Sequence, residues 1–149
     1  MTIKNVFFDA NIFNDIFDDS RHTHAVSKEA FAKAIQRKMK IYTSCDIATN
    51  IYYITAKYTT KEKALDALEY VKNIADIIPF GEKELSQTIA LMRGDADYKD
   101  FEDSIQYILA LNTKCDVIVT NDKHFVSKGV ECLSSDRFVE KYLMLLEEN

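Results

Sequence analysis

Short unbroken apolar runs alternate along this chain with longer stretches in which apolar residues return every three or four positions. The first pattern predicts buried strands, the second amphipathic helices. Residues 3–8 therefore predict a strand, Ala10–Phe17 a short helix, and residues 22–40 a longer one, in which Ala25, Ala30, Phe31, Ala34 and Ile35 recur at helical spacing. Residues 41–44 predict a second strand. Residues 45–57 follow as a helix on an Ile47, Ile51, Ile54 stripe, and Thr60 opens another that runs to Asn73. Residues 76–80 predict a short strand closed by Pro79 and Gly81, residues 82–92 a helix, and residues 93–100 (RGDADYKD) a polar loop. Phe101–Asn112 is helical, with Ile105, Ile108, Leu109 and Asn112 on one side. Residues 117–120 are the clearest β-branched strand; a short helical segment near Lys123, a weak strand at 130–133 and a last helix at 135–146 complete the pattern.

Strands separated by helices need crossovers, so neighbours run parallel with helices on both faces. The expected class is α/β, a three-layer α/β/α fold with a central parallel sheet of about five strands surrounded by helices. No repeat, linker or low-complexity segment divides the chain, so residues 1–149 are expected to form a single domain. A hydrophobic content of 47% in 149 residues is enough for one core without disulfide or metal staples. No apolar run approaches the ~18 residues of a spanning helix, and no basic leader precedes an apolar stretch, so the protein is expected to be soluble and cytoplasmic, with no membrane role. Cys45, Cys115 and Cys132 are odd in number and far apart, which reads as inert buried thiols. The formal charge of −5 argues against a surface that grips nucleic acid everywhere, yet leaves room for a basic region beside an acidic site. Residues 28–40 carry five basic residues against one acid, the pattern either of such a region or of a solvated helix face.

In parallel sheets, ligands bind beyond the carboxyl ends of the strands, at a topological switch point. Asp9 stands at the end of the first strand in NVFFDANIF, and Asp122 follows the β-branched strand in VIVTNDKHF. Two separate strands thus bring a carboxylate to one edge. In DYKDFEDSIQYILAL, Asp100 and Asp103 lie three apart at a helix opening and share a face, with Glu102 turned roughly to the other side. Acids in a first helical turn also serve as caps and dipole partners. Carboxylates gathered from separate segments repel one another, and their natural use is to hold hard divalent cations through oxygen ligands.

The segments FFDANIF, NIYYI, DFEDSIQY and IVTNDKHF resemble, in order and over essentially the whole chain, the successive motifs of PIN-domain nucleases. The chain is most similar in style to the small bacterial single-domain members, many of which are VapC-type toxins that cut RNA. The resemblance implies a PIN-like fold, a metal-dependent ribonuclease hydrolysing RNA phosphodiester bonds, the toxin role in a type II toxin–antitoxin pair, and a homodimer. Partners would be an RNA substrate and a cognate antitoxin, and the cofactor Mg²⁺ or Mn²⁺. Asp9, Asp103 and Asp122 match the family's acids, and Asp100 a nearby position that is often acidic, so these four are the implied metal ligands. Asn11 and Thr120 fall where polar residues steady the site. The departure is Asn50, where nucleases of this family usually carry Glu. Its amide oxygen can orient a water or coordinate weakly but adds no charge. Asp46, one turn earlier on the same face, either supplies the missing carboxylate or caps its helix. In the implied chemistry a metal-activated water attacks phosphorus, with Asp9 as the bridging carboxylate, Asp103 and Asp122 flanking it, and Asp100 acting directly or through water.

The alternative is a catalytically weak or inactive PIN-fold module that binds RNA or protein, with Asn50 as the first sign of a decayed site. A phosphatase of the haloacid dehalogenase type would need a second Asp where Asn11 stands. His22 and His24 are two apart on a helix and do not face each other, so a joint metal site is disfavoured. His124 is a candidate phosphate neighbour, Tyr98, beside Lys99, a candidate base-stacking residue, and Tyr52 and Tyr53 read as packing between helix and sheet. Residues 28–40 and 57–63 are the basic segments offered for phosphate contacts.

Overall fold

The computed structural model describes residues 3–144. Its elements are β1 (Asn5–Phe8), α1 (Ala10–Phe17), α2 (His24–Gln36), β2 (Lys40–Ser44), α3 (Cys45–Tyr58), α4 (Lys61–Ile74), β3 (Asp76–Ile78), α5 (Glu82–Gly94), α6 (Phe101–Asn112), β4 (Val117–Val119), β5 (Glu131–Leu133) and α7 (Ser135–Phe138), which passes into a π-helical turn, Val139–Leu143. The five strands form one sheet in the order β3-β2-β1-β4-β5, parallel at every pairing. This is the three-layer α/β/α arrangement that the alternation of patterns predicts.

The chain leaves β1 toward β2 on one side and returns from β3 to β4 on the other. Right-handed crossovers in opposite directions place the two helix sets on opposite faces. Phe8 fixes which set covers its face: its ring meets those of Phe13 in α1, Phe31 in α2 and Phe138 in α7 edge-on, with centroids 6.3, 5.4 and 6.0 Å away. Edge-to-face aromatic pairs of this kind add about 1 kcal/mol each beyond burial. Strand β1 is thus clamped at its carboxyl end, one residue before Asp9.

Several expected elements are shorter than their patterns. The helix expected over 22–40 ends at Gln36 because Lys38 adopts φ 58°, the left-handed conformation that closes a helix, and Lys40 already belongs to β2. Strand β3 stops at Ile78, before Pro79, which cannot donate to a ladder. No helix forms near Lys123: His124 N–H donates to Asp122 Oδ1 at 2.9 Å and Phe125 N–H to the Asp122 carbonyl at 3.2 Å, a side-chain-closed turn that competes with a helical one. Of the helix expected over 135–146, the part to Leu143 is helical and residues 145–146 lie outside the described residues. No helix among the described residues is long and apolar enough to cross a membrane.

Gln106 is an anomaly in this core. It is 1% exposed on α6, and neither of its amide atoms has a hydrogen-bond partner among the described residues. An unpaired buried amide costs about 1–3 kcal/mol. Gln106→Met, nearly isosteric, is therefore expected to raise stability by about 1 kcal/mol and Tm by roughly 3 °C in a thermal melt. A fall in Tm would mean that the amide is satisfied in solution.

Candidate active site

Asp9 emerges from β1 at the switch point, where β1 lies between β2 and β4. Its backbone N–H still belongs to the ladder, donating to the Val119 carbonyl at 3.0 Å. Its side chain caps α1, Oδ1 accepting from Ala10 N–H at 2.8 Å. Oδ2 accepts from Thr120 Oγ1 at 2.8 Å and from Asn11 Nδ2 at 3.1 Å. The Thr120 hydroxyl in turn accepts from Asn11 Nδ2 at 2.9 Å and from Asp122 N–H at 3.1 Å, using its one donor and both acceptor positions. Asn11 and Thr120 thus tie the acid after β1 to the acid after β4. Among the described residues, Ala10 N–H is the one donor to Asp9 Oδ1.

The other acids arrive on the first turn of α6. Asp100 is its N-cap, with Oδ1 accepting from Asp103 N–H at 2.9 Å, so the capping reading of Asp100 holds. The carboxylates also feel one another. Asp103 is pushed up to about 7, first by burial and then by Asp100, Asp9, Asp122 and Glu102. Asp9 is likewise raised, chiefly by burial and further by Asp122, against the hydrogen bonds that stabilise its charge. Glu102 is raised by burial and then by Asp46, Asp9 and Asp100. Glu102 is exposed and does not line the groove that Asp100, Asp103 and Asp122 share, yet it lies within electrostatic reach of Asp46, Asp9 and Asp100. Cys132, on β5, is pushed up to about 11 by burial and by Asp9, Asp103 and Asp122, which keeps it protonated beside the site.

The raised Asp103 pKa has a measurable sign. Between the ordinary value of 3.8 and about 7 the folded chain holds a proton that the unfolded chain has released, so stability falls as pH rises through that window. Asp9 and Glu102 act in the same direction. In EDTA, Tm is expected to drop from pH 5 to pH 7.5 and Asp103→Asn to flatten the slope; parallel pH profiles for the two proteins would refute the coupling. Among the described residues, no three His, Cys, Asp or Glu side chains converge tightly enough to hold an ion as they stand. The donor set itself, acid oxygens on rigid strand and helix ends, fits a hard divalent cation.

The PIN-domain family model matches residues 5–124. The chain belongs to the PIN-domain family. It is 41% identical to Ribonuclease VapC1 of Aquifex aeolicus (strain VF5) over 142 residues, 95% of this chain and 98% of the relative. Among solved structures it resembles VapBC2 of Rickettsia felis bound to a promoter DNA fragment (TM-score 0.65, 17% identity, 87% of this chain and 97% of that one). It also resembles VapC20 of Mycobacterium tuberculosis, a Sarcin-Ricin loop cleaving toxin (TM-score 0.64, 12% identity, 76% and 86%). The sequence relative places this PIN domain in the VapC-type branch, and the structural likenesses support the fold.

Within the PIN domain, Asn50 on α3 is engaged by α1. Its Oδ1 accepts from Asn14 Nδ2 at 3.0 Å, an α1–α3 contact. Asp46 is not the cap of α3: Ser44 is, its hydroxyl accepting from Ile47 N–H. Asp46 instead lies in the first turn within electrostatic reach of Glu102. Tyr98 is 4% exposed and gives no stacking surface; its hydroxyl accepts from Lys128 N–H at 3.0 Å and its ring lies against Tyr107. Tyr53, expected to pack, is 65% exposed. His24 Nδ1 lies 2.7 Å from the Asp15 carbonyl oxygen, apart from an exposed His22.

Sequence reasoning missed a buried network behind the site. Asp15, 1% exposed, accepts from Arg21 Nε at 2.8 Å, Ser27 Oγ at 2.7 Å and Asn121 Nδ2 at 2.9 Å. Asn121 reaches on to Ser135, whose N–H donates to its Oδ1 at 3.0 Å, and to Asn11, whose Oδ1 accepts from its N–H at 2.9 Å. The loop that carries Asp122 is thereby tied to three helices.

Proposed function

We propose that this PIN domain is a metal-dependent endoribonuclease, the toxin of a toxin–antitoxin pair. The observation that carries the reading is the meeting of acids from separate segments at the switch point, where Asp103 and Asp9 are raised by burial and neighbouring carboxylates, in a chain 41% identical to Ribonuclease VapC1. Asp9, Asp103, Asp122 and Asp100 would hold Mg²⁺ or Mn²⁺, with Glu102 and Asp46 supplying the charge that Asn50 lacks. When bound, the ion activates water and stabilises the charge that develops on the phosphoryl oxygens and leaving oxygen.

The chain's own residues do the rest. Thr120 and Asn11 hold the Asp9 carboxylate, and the Asn121 anchors fix the turn bearing Asp122, so these two acids are positioned before a cation arrives. Asp103, raised to about 7, gives up its proton when a cation takes its place, which makes metal affinity rise with pH through neutrality. No covalent protein intermediate is required.

The test is incubation of the purified protein with a mixed RNA pool including tRNA in Mg²⁺, Mn²⁺ or EDTA. Cleavage in either metal and none in EDTA is expected. No cleavage under any condition, with no Mn²⁺-dependent rise in Tm, would leave the binding-module reading. For the partner, co-expression with the adjacent reading frame is expected to yield a complex, and size-exclusion chromatography of the free protein a homodimer; a monomer that captures nothing would remove the toxin role.

A further inference from the structure

Cleaving RNA at a cluster of acids requires cations beside it, because phosphates and carboxylates repel. The two basic segments apparent in the sequence are in the wrong places. Lys40 opens β2 and pairs in register with Asn5, the first residue of β1, whereas Asp9 follows the last, so the basic end of α2 lies at the opposite edge of the sheet. Three of the five cations in residues 28–40 also have partners: Lys33 in Glu29, Arg37 in the Tyr142 carbonyl and Lys40 in Asp76. Residues 57–63 occupy the tip of the α3–α4 hairpin, one helix of 14 residues beyond the end of β2. That is about 20 Å away at the rise of an α-helix.

Two other lysines stand next to the acids. Lys99 and Lys123 line a groove of about 750 Å³ whose wall includes Asp100, Asp103 and Asp122. Both are exposed, and among the described residues neither makes an ion pair. Lys128, close in sequence, is by contrast neutralised by Asp95 and Asp97 at 2.8 and 2.7 Å. The groove is preformed: Tyr98 Oη accepts from Lys128 N–H and Tyr107 Oη from Gly129 N–H, each at 3.0 Å, and a Cβ at Gly129 would lie 2.6 Å from the Tyr107 hydroxyl. The rings of Tyr98 and Phe125, which line it, are buried and present no face to a base.

We propose that this groove is the subsite for the RNA strand flanking the scissile bond, with Lys99 and Lys123 each neutralising one backbone phosphate and His124 beside them. The proposal rests on the ribonuclease reading for its substrate class, and it makes the subsite a reader of backbone and not of base sequence. Each phosphate contact on a single strand contributes about 0.7 to the slope of log affinity against log salt.

The test uses fluorescence anisotropy of a labelled 12-nucleotide mixed-sequence RNA in Ca²⁺ across a KCl series, alongside tRNA cleavage kinetics in Mn²⁺. The double variant Lys99→Ala/Lys123→Ala is expected to lose about 1.4 of the salt slope, with the kinetic loss falling on KM. Lys38→Ala/Lys61→Ala, on the distant basic segments, should keep the wild-type slope. A wild-type slope in the groove variant, its loss in the distant one, or no RNA binding by the wild type overturns the subsite. Wild type that binds RNA through these lysines and cuts nothing would instead refute the nuclease and leave the subsite standing; cleavage with an unaltered groove variant would do the reverse.

Discussion

Asp9→Asn is expected to lower the rate of RNA cleavage by about 10³-fold, a loss of roughly 4 kcal/mol of transition-state stabilisation, while the fold survives. The amide is isosteric with the carboxylate and can go on accepting hydrogen bonds through one oxygen. With the amide oxygen in the place of Oδ2, the bonds from the Thr120 hydroxyl and Asn11 Nδ2 are kept, and the loss falls on the Ala10 cap. What disappears is charge. Burial and Asp122 hold the Asp9 carboxyl above its usual range, so its ionised form is a burden on the metal-free protein. Neutralising it should therefore leave Tm in EDTA within a few degrees of wild type, while the rise in Tm on adding Mn²⁺ shrinks or vanishes. Turnover measured beside melting curves with and without Mn²⁺ separates the possibilities. Undiminished cleavage would remove Asp9 from the site, and collapse in both assays would mean that the residue matters for folding.

The sequence yields the site to the extent that local grammar marks it. Asp9 and Asp122 each end an unbroken apolar run, and strand ends in a parallel sheet converge, so their meeting could be anticipated from pattern alone. The same logic recovers all five strands and the parallel sheet. Glu102 was legible as an acid but not as one within electrostatic reach of Asp9 and Asp46, because angles along one helix do not say what other elements bring near it. Lys123 shows the opposite failure: a helix-like composition gives way to a turn once Asp122 bonds the backbone two residues on. The basic helix α2 looks like a phosphate surface until the register of β2 places its charged end at the far edge of the sheet.

The network behind the site was illegible for another reason. Asp15 finds Asn121 across 106 residues and Ser27 across 12, separations over which no periodicity carries information. Its one local trace is a charged residue in ANIFNDIF among positions that otherwise bury, since Ile12 and Phe13 are fully enclosed. A lone charge on an apolar face demands a partner, and the sequence does not say which.

That demand sets the second large effect. Asp15→Ala removes the acceptor shared by Arg21, Ser27 and Asn121; the Arg21 side chain, 37% exposed, can turn to water, whereas the Ser27 hydroxyl and the Asn121 amide are left short of an acceptor. Two such losses cost about 2–4 kcal/mol, which is a large share of the stability of a domain of this size. Asn121→Ala should cost less, about 1–3 kcal/mol, because Asp15 keeps Arg21 and Ser27. Urea unfolding of the two single variants and the double variant measures their coupling, expected at about 1 kcal/mol or more for groups in one network. The functional consequence should be unequal as well. The Asn121 side chain ties the turn that carries Asp122 to Asp15 and Ser135, so its loss loosens that turn and should lower Mn²⁺ stabilisation beyond what its unfolding free energy alone explains. A variant that loses stability but keeps the full metal-dependent rise in Tm would show that the network holds the fold without holding the site.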